Sequence, residues 1–169
     1  MLTLYLIRHA KSSWADPGLD DMYRPLNKRG KSDTLLMAKI LLKRNEVPDL
    51  VVTSPAKRAF STTKRIAKAI GLDSEKVVVD DRLYMANETD FFNVIWGVSE
   101  GSNSLMIVSH NPGLTDFANV LTGSGILNVP TCGIVRIDFD LKSWQDITGK
   151  NGKFMYFEFP KMYKPQDGK

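Results

Sequence analysis

The sequence predicts a single-domain, three-layer α/β/α sandwich with a mostly parallel sheet and an antiparallel C-terminal edge. Three observations carry this. From residue 3 to residue 121, short apolar runs alternate with segments of helical periodicity, the pattern of strands joined by crossover helices. The runs are apolar on consecutive residues, as strands covered on both faces are. Towards the C-terminus the period becomes two. Val135, Ile137 and Phe139 alternate with Arg136, Asp138 and Asp140, and Met155, Phe157 and Phe159 alternate with Tyr156 and Glu158. Two such segments around the polar stretch 141–153 suggest an antiparallel pair at the sheet edge.

Strands are expected at 3–8, 49–53, 77–80 and 104–109. A helix over 28–44 carries Leu35, Leu36, Ile40 and Leu41 at helical spacing behind Asn27, a good N-cap. A second, over 55–70, opens with Ser54-Pro55, read as a cap followed by proline at the first helical position, and closes at Gly71. A third, over 88–98, opens with Asn87 and has Asp90 three residues on, close to a capping box. The fourth, over 112–121, opens with Asn111-Pro112 and ends before Gly123, while Asp16-Pro17-Gly18 marks a loop. Residues 1–160 read as one domain and 161–169 as a polar, frayed tail.

The 169 residues suffice for one real core, and 43% hydrophobic with 25% charged residues is an ordinary soluble composition. The net charge is +4 and the isoelectric point about 9.1. Without a Lys/Arg-rich block or an RNA-module pattern, this balance suits an anionic substrate, or no particular partner, better than nucleic acid. Cys132 stands alone, so no disulfide forms within the chain. With no histidine near it in sequence, it reads as a small half-buried side chain rather than a nucleophile. No stretch approaches the roughly 18–20 apolar residues of a membrane span, and no basic-then-apolar leader opens the chain. A cytoplasmic protein without membrane or nucleic-acid partners is expected; the oligomeric state is left open.

Chemistry concentrates where the apolar runs stop. The chain has two histidines, and both sit there: Leu4 to Ile7 end on Arg8-His9, and Leu105 to Val108 on Ser109-His110-Asn111. Ligands of open α/β sheets bind beyond the carboxyl ends of the strands. A third end supplies Thr53-Ser54-Pro55-Ala56-Lys57-Arg58. Together the three ends offer two arginines, two imidazoles, two helix N-termini and no carboxylate, a composition suited to a dianion. Such a pocket can simply bind phosphate, and a strand-end histidine can simply bond to backbone. The catalytic reading is that His9, a neutral imidazole beside cations, attacks phosphorus.

Four segments, in order, carry a resemblance: Leu6-Ile7-Arg8-His9-Ala10; Arg24 through Gly30; Thr53 through Thr63; and Val108-Ser109-His110-Asn111-Pro112-Gly113. They resemble the motifs of the histidine phosphatase superfamily, which includes the cofactor-dependent phosphoglycerate mutases, with Ala10 in place of the usual glycine. The short length, the Arg-Pro-Leu segment and the His-Asn-Pro-Gly ending look most like SixA-type phosphohistidine phosphatases. The resemblance implies His9 as nucleophile, Arg8 and Arg58 as holders of the phosphoryl group, and His110 as its hydrogen-bond donor, with no metal and no cofactor. Lys11, Ser12 and Asn111 are further candidate donors to substrate.

The chain departs from the family at the acid. Where mutases and many phosphomonoesterases keep a glutamate, it has Met85; the nearest acid, Glu88, also suits the first turn of its helix. Asp16, Asp20 and Asp21, on the loop after His9, are further candidates for that acid, though each reads more simply as a solvated turn residue, and Ala15 replaces a phosphate-touching asparagine. The missing acid points to a substrate. An alkoxide needs a proton from a positioned acid, worth roughly 10²–10⁴ in rate, whereas a phosphorylated imidazole protonates its own free nitrogen and leaves neutral. The expected function is therefore a metal-independent phosphatase for phosphohistidine on a signalling protein. The alternatives are a phosphomonoesterase for a small metabolite and a non-catalytic phosphate- or phosphoprotein-binding module.

Overall fold

In a computed structural model, described over residues 1–165, the elements run β1 (Leu2–Arg8), α1 (Lys28–Lys43), β2 (Leu50–Thr53), α2 (Lys57–Ile70), β3 (Val77–Val79), α3 (Glu88–Trp96), β4 (Ser104–Ser109), α4 (Gly113–Thr122), β5 (Ile134–Phe139) and β6 (Lys153–Glu158). The strands form one sheet in the order β3-β2-β4-β1-β5-β6. β3, β2, β4 and β1 are parallel, and β5 and β6 add the antiparallel edge.

The consecutive apolar residues of β1 and β4 reflect two buried faces. Leu2, Leu4, Leu6, Leu105 and Ile107 pack with Phe91, Ile95, Phe117 and Leu121 of α3 and α4. Tyr5, Ile7, Met106 and Val108 pack on the opposite face with Met37, Leu41, Ile66 and Ile70 of α1 and α2. Burying a side chain of this size contributes about 1.5–3 kcal/mol, so a slip of one residue in register would misplace both layers at once.

Val135, Ile137 and Phe139 of β5 face the α3–α4 layer as their alternation predicts. β6 departs from the pattern. The register passes from Arg136–Tyr156 to Ile137–Phe154, leaving Met155 unpaired in a bulge. Phe154 and Met155 are exposed while Glu158 is buried and ion-paired to Arg44. An edge strand with a bulge re-aims its side chains.

The helix starts also differ in detail. α1 is capped by Asn27, whose Oδ1 accepts from Gly30 N–H at 2.8 Å, and α3 has the reciprocal Asn87–Asp90 capping box. α2, however, begins at Lys57 with no side-chain cap; Pro55 lies before the helix, and Ser54 is drawn elsewhere. α4 begins at Gly113 after a cis Asn111–Pro112 bond. Part of the expected tail makes local contacts. Residues Pro160–Tyr163 form a short 3-10 turn, and Lys164 Nζ lies 2.6 Å from Oδ1 of Asp33. The Asp33 carboxylate is wholly buried and needs a cation beside it. The rest of the tail, 166–169, lies outside the described residues.

Two glycines pin helices to loops. A Cβ on Gly30 would lie 2.1 Å from the Lys11 carbonyl oxygen, and one on Gly113 would lie 2.1 Å from that of Ala86. Only glycine lets α1 and α4 approach these loops so closely.

Candidate active site

β2, β4 and β1 are neighbours, so the residues following them meet at one end of the sheet. His9 N–H donates to Ser109 O at 3.0 Å, and Ser54 N–H donates to Val108 O at 3.0 Å. These last rungs bring His9, Ser54 and His110 together, with the two imidazole centroids 5.0 Å apart.

His9 is 8% exposed. Its Nδ1 lies 2.8 Å from the Ala10 carbonyl oxygen, which only accepts, so Nδ1 carries the proton and Nε2 the lone pair. Arg58 Nε donates towards that Nε2 at 3.4 Å. Burial pushes the imidazole down to about 4; Arg58, Arg8 and Arg24 act in the same direction, and the Ala10 bond opposes them. The ring is therefore neutral at pH 7. Beneath it, Ala10 N–H donates to Thr62 Oγ1 at 2.9 Å. Cys132 N–H donates to the Arg8 and His9 carbonyls, while burial pushes the Cys132 thiol up, as befits a packing role.

His110 Nε2 lies 2.7 Å from Ser54 Oγ. That oxygen also accepts from Ala56 N–H at 3.3 Å; in the tautomer in which the Ser54 hydroxyl donates to Nε2, Nδ1 of His110 carries the ring N–H. Burial, followed by His9 and Arg58, pushes His110 down to about 3. Arg8 donates through Nη1 to Val129 O at 3.0 Å. Its Nε and the Nδ1 of His110 are both buried without a hydrogen-bond partner among the described residues. Unmet buried donors are uncommon and call for an explanation.

The three strand ends bring no carboxylate of their own; the loop after His9 adds one, Asp21. Arg58 Nη1 donates to the Asp21 main-chain oxygen at 2.6 Å and Nη2 to its carboxylate at 2.9 Å. Arg24 Nε donates to the same carboxylate at 3.0 Å, and Tyr84 Oη at 2.8 Å. Partial burial pushes the Asp21 carboxyl up, but the bonds from Tyr84, Arg58 and Arg24 outweigh it and hold the group at about 2. Asp21 is thus the hub of the arginines rather than a free turn residue. Tyr84, Ser54 and Arg24 were not among the candidate site residues. Position after a strand, or within a quoted motif, was the only signal that Ser54 and Arg24 offered.

Among the remaining candidates, Ser12 is buried and its Oγ accepts from Arg24 Nη1 at 2.8 Å. The Lys11 carbonyl accepts from Asn27 N–H. Asn111 has its amide committed to Val129 O and Asn128 Oδ1, and its oxygen accepts from Thr115. Glu88 is the first residue of α3. A cavity of about 550 Å³ adjoins the cluster, lined by Asp21, Arg58, Tyr84, Met85, Glu88 and His110 among others. Met85, with φ of 55°, is 81% exposed at its mouth.

Residues 4–93 match the family model described as histidine phosphatase superfamily, branch 1. An uncharacterized chloroplastic protein of Arabidopsis thaliana is 31% identical over 157 residues, covering 88% of this chain and 72% of that protein. An Agrobacterium tumefaciens crystal structure named for the phosphohistidine phosphatase SixA is 28% identical, with a TM-score of 0.79 over 93% of this chain and 97% of the other. A protein histidine phosphatase SixA complexed with tungstate shares the fold, with 22% identity and a TM-score of 0.83 over 96% of this chain and all of that one. Among the described residues, no helix is long and apolar enough to cross a membrane.

Proposed function

The chain belongs to the histidine phosphatase superfamily and is a phosphatase, and from that premise we propose that it works through a phosphohistidine intermediate on His9 to dephosphorylate phosphohistidine on a signalling protein. One observation carries this reading. The His9 Nε2 lone pair lies beside Arg58, in a cluster where Arg8 Nε–H and the Nδ1 of His110, a donor when Ser54 donates to Nε2, are buried without partners among the described residues. Unmet donors around a neutral nucleophile suit the oxygens of a phosphoryl group.

In this mechanism Arg8, Arg58 and His110 hold the equatorial oxygens while Nε2 of His9 attacks phosphorus. The bond from phosphorus to the leaving nitrogen breaks as the new P–N bond forms. The departing imidazole, protonated on its other nitrogen, leaves neutral. Water then attacks the phosphoryl group on His9 and releases inorganic phosphate, with the proton of the water returned to solvent. Arg58 and Arg8 offset charge that builds during both displacements. Each preorganised donor of this kind is worth on the order of 10²–10³ in rate. With Met85 where relatives keep a glutamate, a leaving group that supplies its own proton suits the site.

A second reading, a phosphomonoesterase for a small metabolite, draws on Glu88, which lines the cavity beside Tyr84 and His110. A phosphate-release screen over phosphohistidine proteins and common phosphorylated metabolites separates the two. The proposal expects the phosphohistidine proteins to head the ranking by kcat/KM; one metabolite far above them would replace it with the second reading, and binding of phosphoproteins without release would replace both with a docking module.

A further inference from the structure

The cations of the two helices on one face of the sheet are spread thinly in sequence but gathered in space. α1 carries Lys28, Arg29, Lys31, Lys39 and Lys43 against one acid, the buried Asp33. α2 carries Lys57, Arg58, Lys64, Arg65 and Lys68 and no acid. These helices hold ten of the chain's 23 cations but one of its 19 carboxylates, so the remainder of the molecule is net acidic. Between them runs a groove of about 370 Å³ lined by Lys31, Lys57, Lys64 and Arg65 with Leu26 and Ser61. No carboxylate lines it. Lys31, Lys57 and Lys64 are exposed, and none of the four cations forms an ion pair among the described residues. The guanidinium of Arg65 is held by neutral partners, Thr34 Oγ1 at 3.0 Å and Lys31 O at 3.3 Å, so its charge remains available.

The groove begins at the site. Lys57, at the first turn of α2, lines it, while the next residue, Arg58, lines the cavity beside His110. That cavity is mixed: Asp21 is paired with Arg58 and Arg24 beside His110, and Glu88 and Asp116 add two further carboxylates to the wall. We propose that the α1–α2 groove is the docking surface for an acidic face of the phosphorylated protein substrate, which it orients with its acidic side towards α1 and α2. The proposal rests on the reading that the substrate is a protein. A continuous polyanion, such as a nucleic acid strand or a lipid surface spanning the site, would meet Glu88 and Asp116 in the cavity wall. A protein presents a bounded acidic patch and avoids them. A one-signed groove raises encounter rates about 10-fold or more at low salt.

The test uses three phosphohistidine peptides of equal length, flanked by glutamates, alanines or lysines, with wild type and the Lys31→Glu/Lys64→Glu double variant. Both lysines are exposed, so the fold is kept, and circular dichroism verifies this. Wild type should turn over the acidic peptide with a kcat/KM about tenfold above the alanine peptide at low ionic strength. The preference should vanish in 0.5 M salt, roughly where the Debye length falls below 5 Å, and should vanish or reverse in the double variant. Turnover of p-nitrophenyl phosphate should be equal in both proteins. Equal rates for the three peptides, or a preference that survives in the double variant, overturns the proposal. So does Lys31- and Lys64-dependent binding of duplex DNA or phosphatidylserine vesicles that the acidic peptide does not displace. Fluorescence anisotropy of the labelled peptides reads docking without chemistry. A protein that binds the acidic peptide selectively but releases no phosphate from any peptide or from p-nitrophenyl phosphate therefore counts against the phosphatase reading and not against the groove.

Discussion

Asp21 and Arg58 are joined twice, through the main-chain oxygen at 2.6 Å and the carboxylate at 2.9 Å. The double contact ties the loop after His9 to the first turn of α2 and leaves Arg58 Nε pointing at Nε2 of His9, the proposed nucleophile. Replacing Asp21 by alanine keeps the main-chain bond and loses the carboxylate. The expected result is a fall in kcat/KM of about tenfold with p-nitrophenyl phosphate, the size of one lost charge-assisted hydrogen bond. Asparagine should restore part of it. An alanine variant with full activity would show that the main-chain bond alone positions Arg58.

His9→Ala should abolish phosphate release from every substrate, and the trapped wild-type phosphoenzyme should be acid-labile and alkali-stable. The nucleophile must be neutral, and His9 is held at about 4, so the acid limb of kcat/KM should fall near pH 4. A limb near 6.5, or label trapped on His110, Ser12 or Cys132, would reject His9 in this role. Stability follows the same titration. Between 6.5, the ordinary value, and about 4, the unfolded chain binds a proton on this residue and the folded chain does not. The contribution is full above pH 6.5 and is lost as pH falls towards 4, at up to about 1.4 kcal/mol per pH unit. Urea unfolding at pH 7.5 and 4.5 should show a smaller loss for His9→Gln than for wild type.

Arg8→Ala and Arg58→Ala should each lower kcat/KM by roughly 10² or more. Lysine should rescue little, because a point charge does not reproduce the guanidinium fork. Vanadate and tungstate should inhibit competitively. If these cations meet the phosphoryl charge as proposed, activity should survive prolonged EDTA treatment; a loss restored by Mg²⁺ or Zn²⁺ would mark a metal-assisted reaction.

Glu88→Gln should barely slow dephosphorylation of a phosphohistidine protein, since the leaving imidazole carries its own proton. It should slow p-nitrophenyl phosphate only slightly, and an alkyl phosphate should be a poor substrate for wild type and variant alike. Brisk wild-type turnover of an alkyl phosphate, with a loss of about 10² or more in the variant, would make Glu88 the general acid and favour the small-metabolite reading.

The sheet and the two histidines were legible because each has a local cause. Leu4 to Ile7 and Leu105 to Val108 are apolar on every residue, which a strand covered on both faces requires, and each run stops at the carboxyl end of the sheet. Asn27 and Asn87 announce their helices through their own side chains. Ser54 misled for the same reason: a serine before proline reads as a cap until β4 brings His110 within 2.7 Å and takes its hydroxyl. Tyr84 and the α1–α2 groove had no local sign at all, and Asp21 had only its place on the loop after His9, shared with Asp16 and Asp20. Asp21 meets a partner 37 residues away in Arg58 and another 63 away in Tyr84, and no periodicity marks a turn carboxylate for such a meeting. Backbone pattern and capping are decided within a few residues, so the sequence by itself determined the layers and the strand ends. Only tertiary structure decided which charges face one another there, because the side chains that meet arrive on different loops and helices.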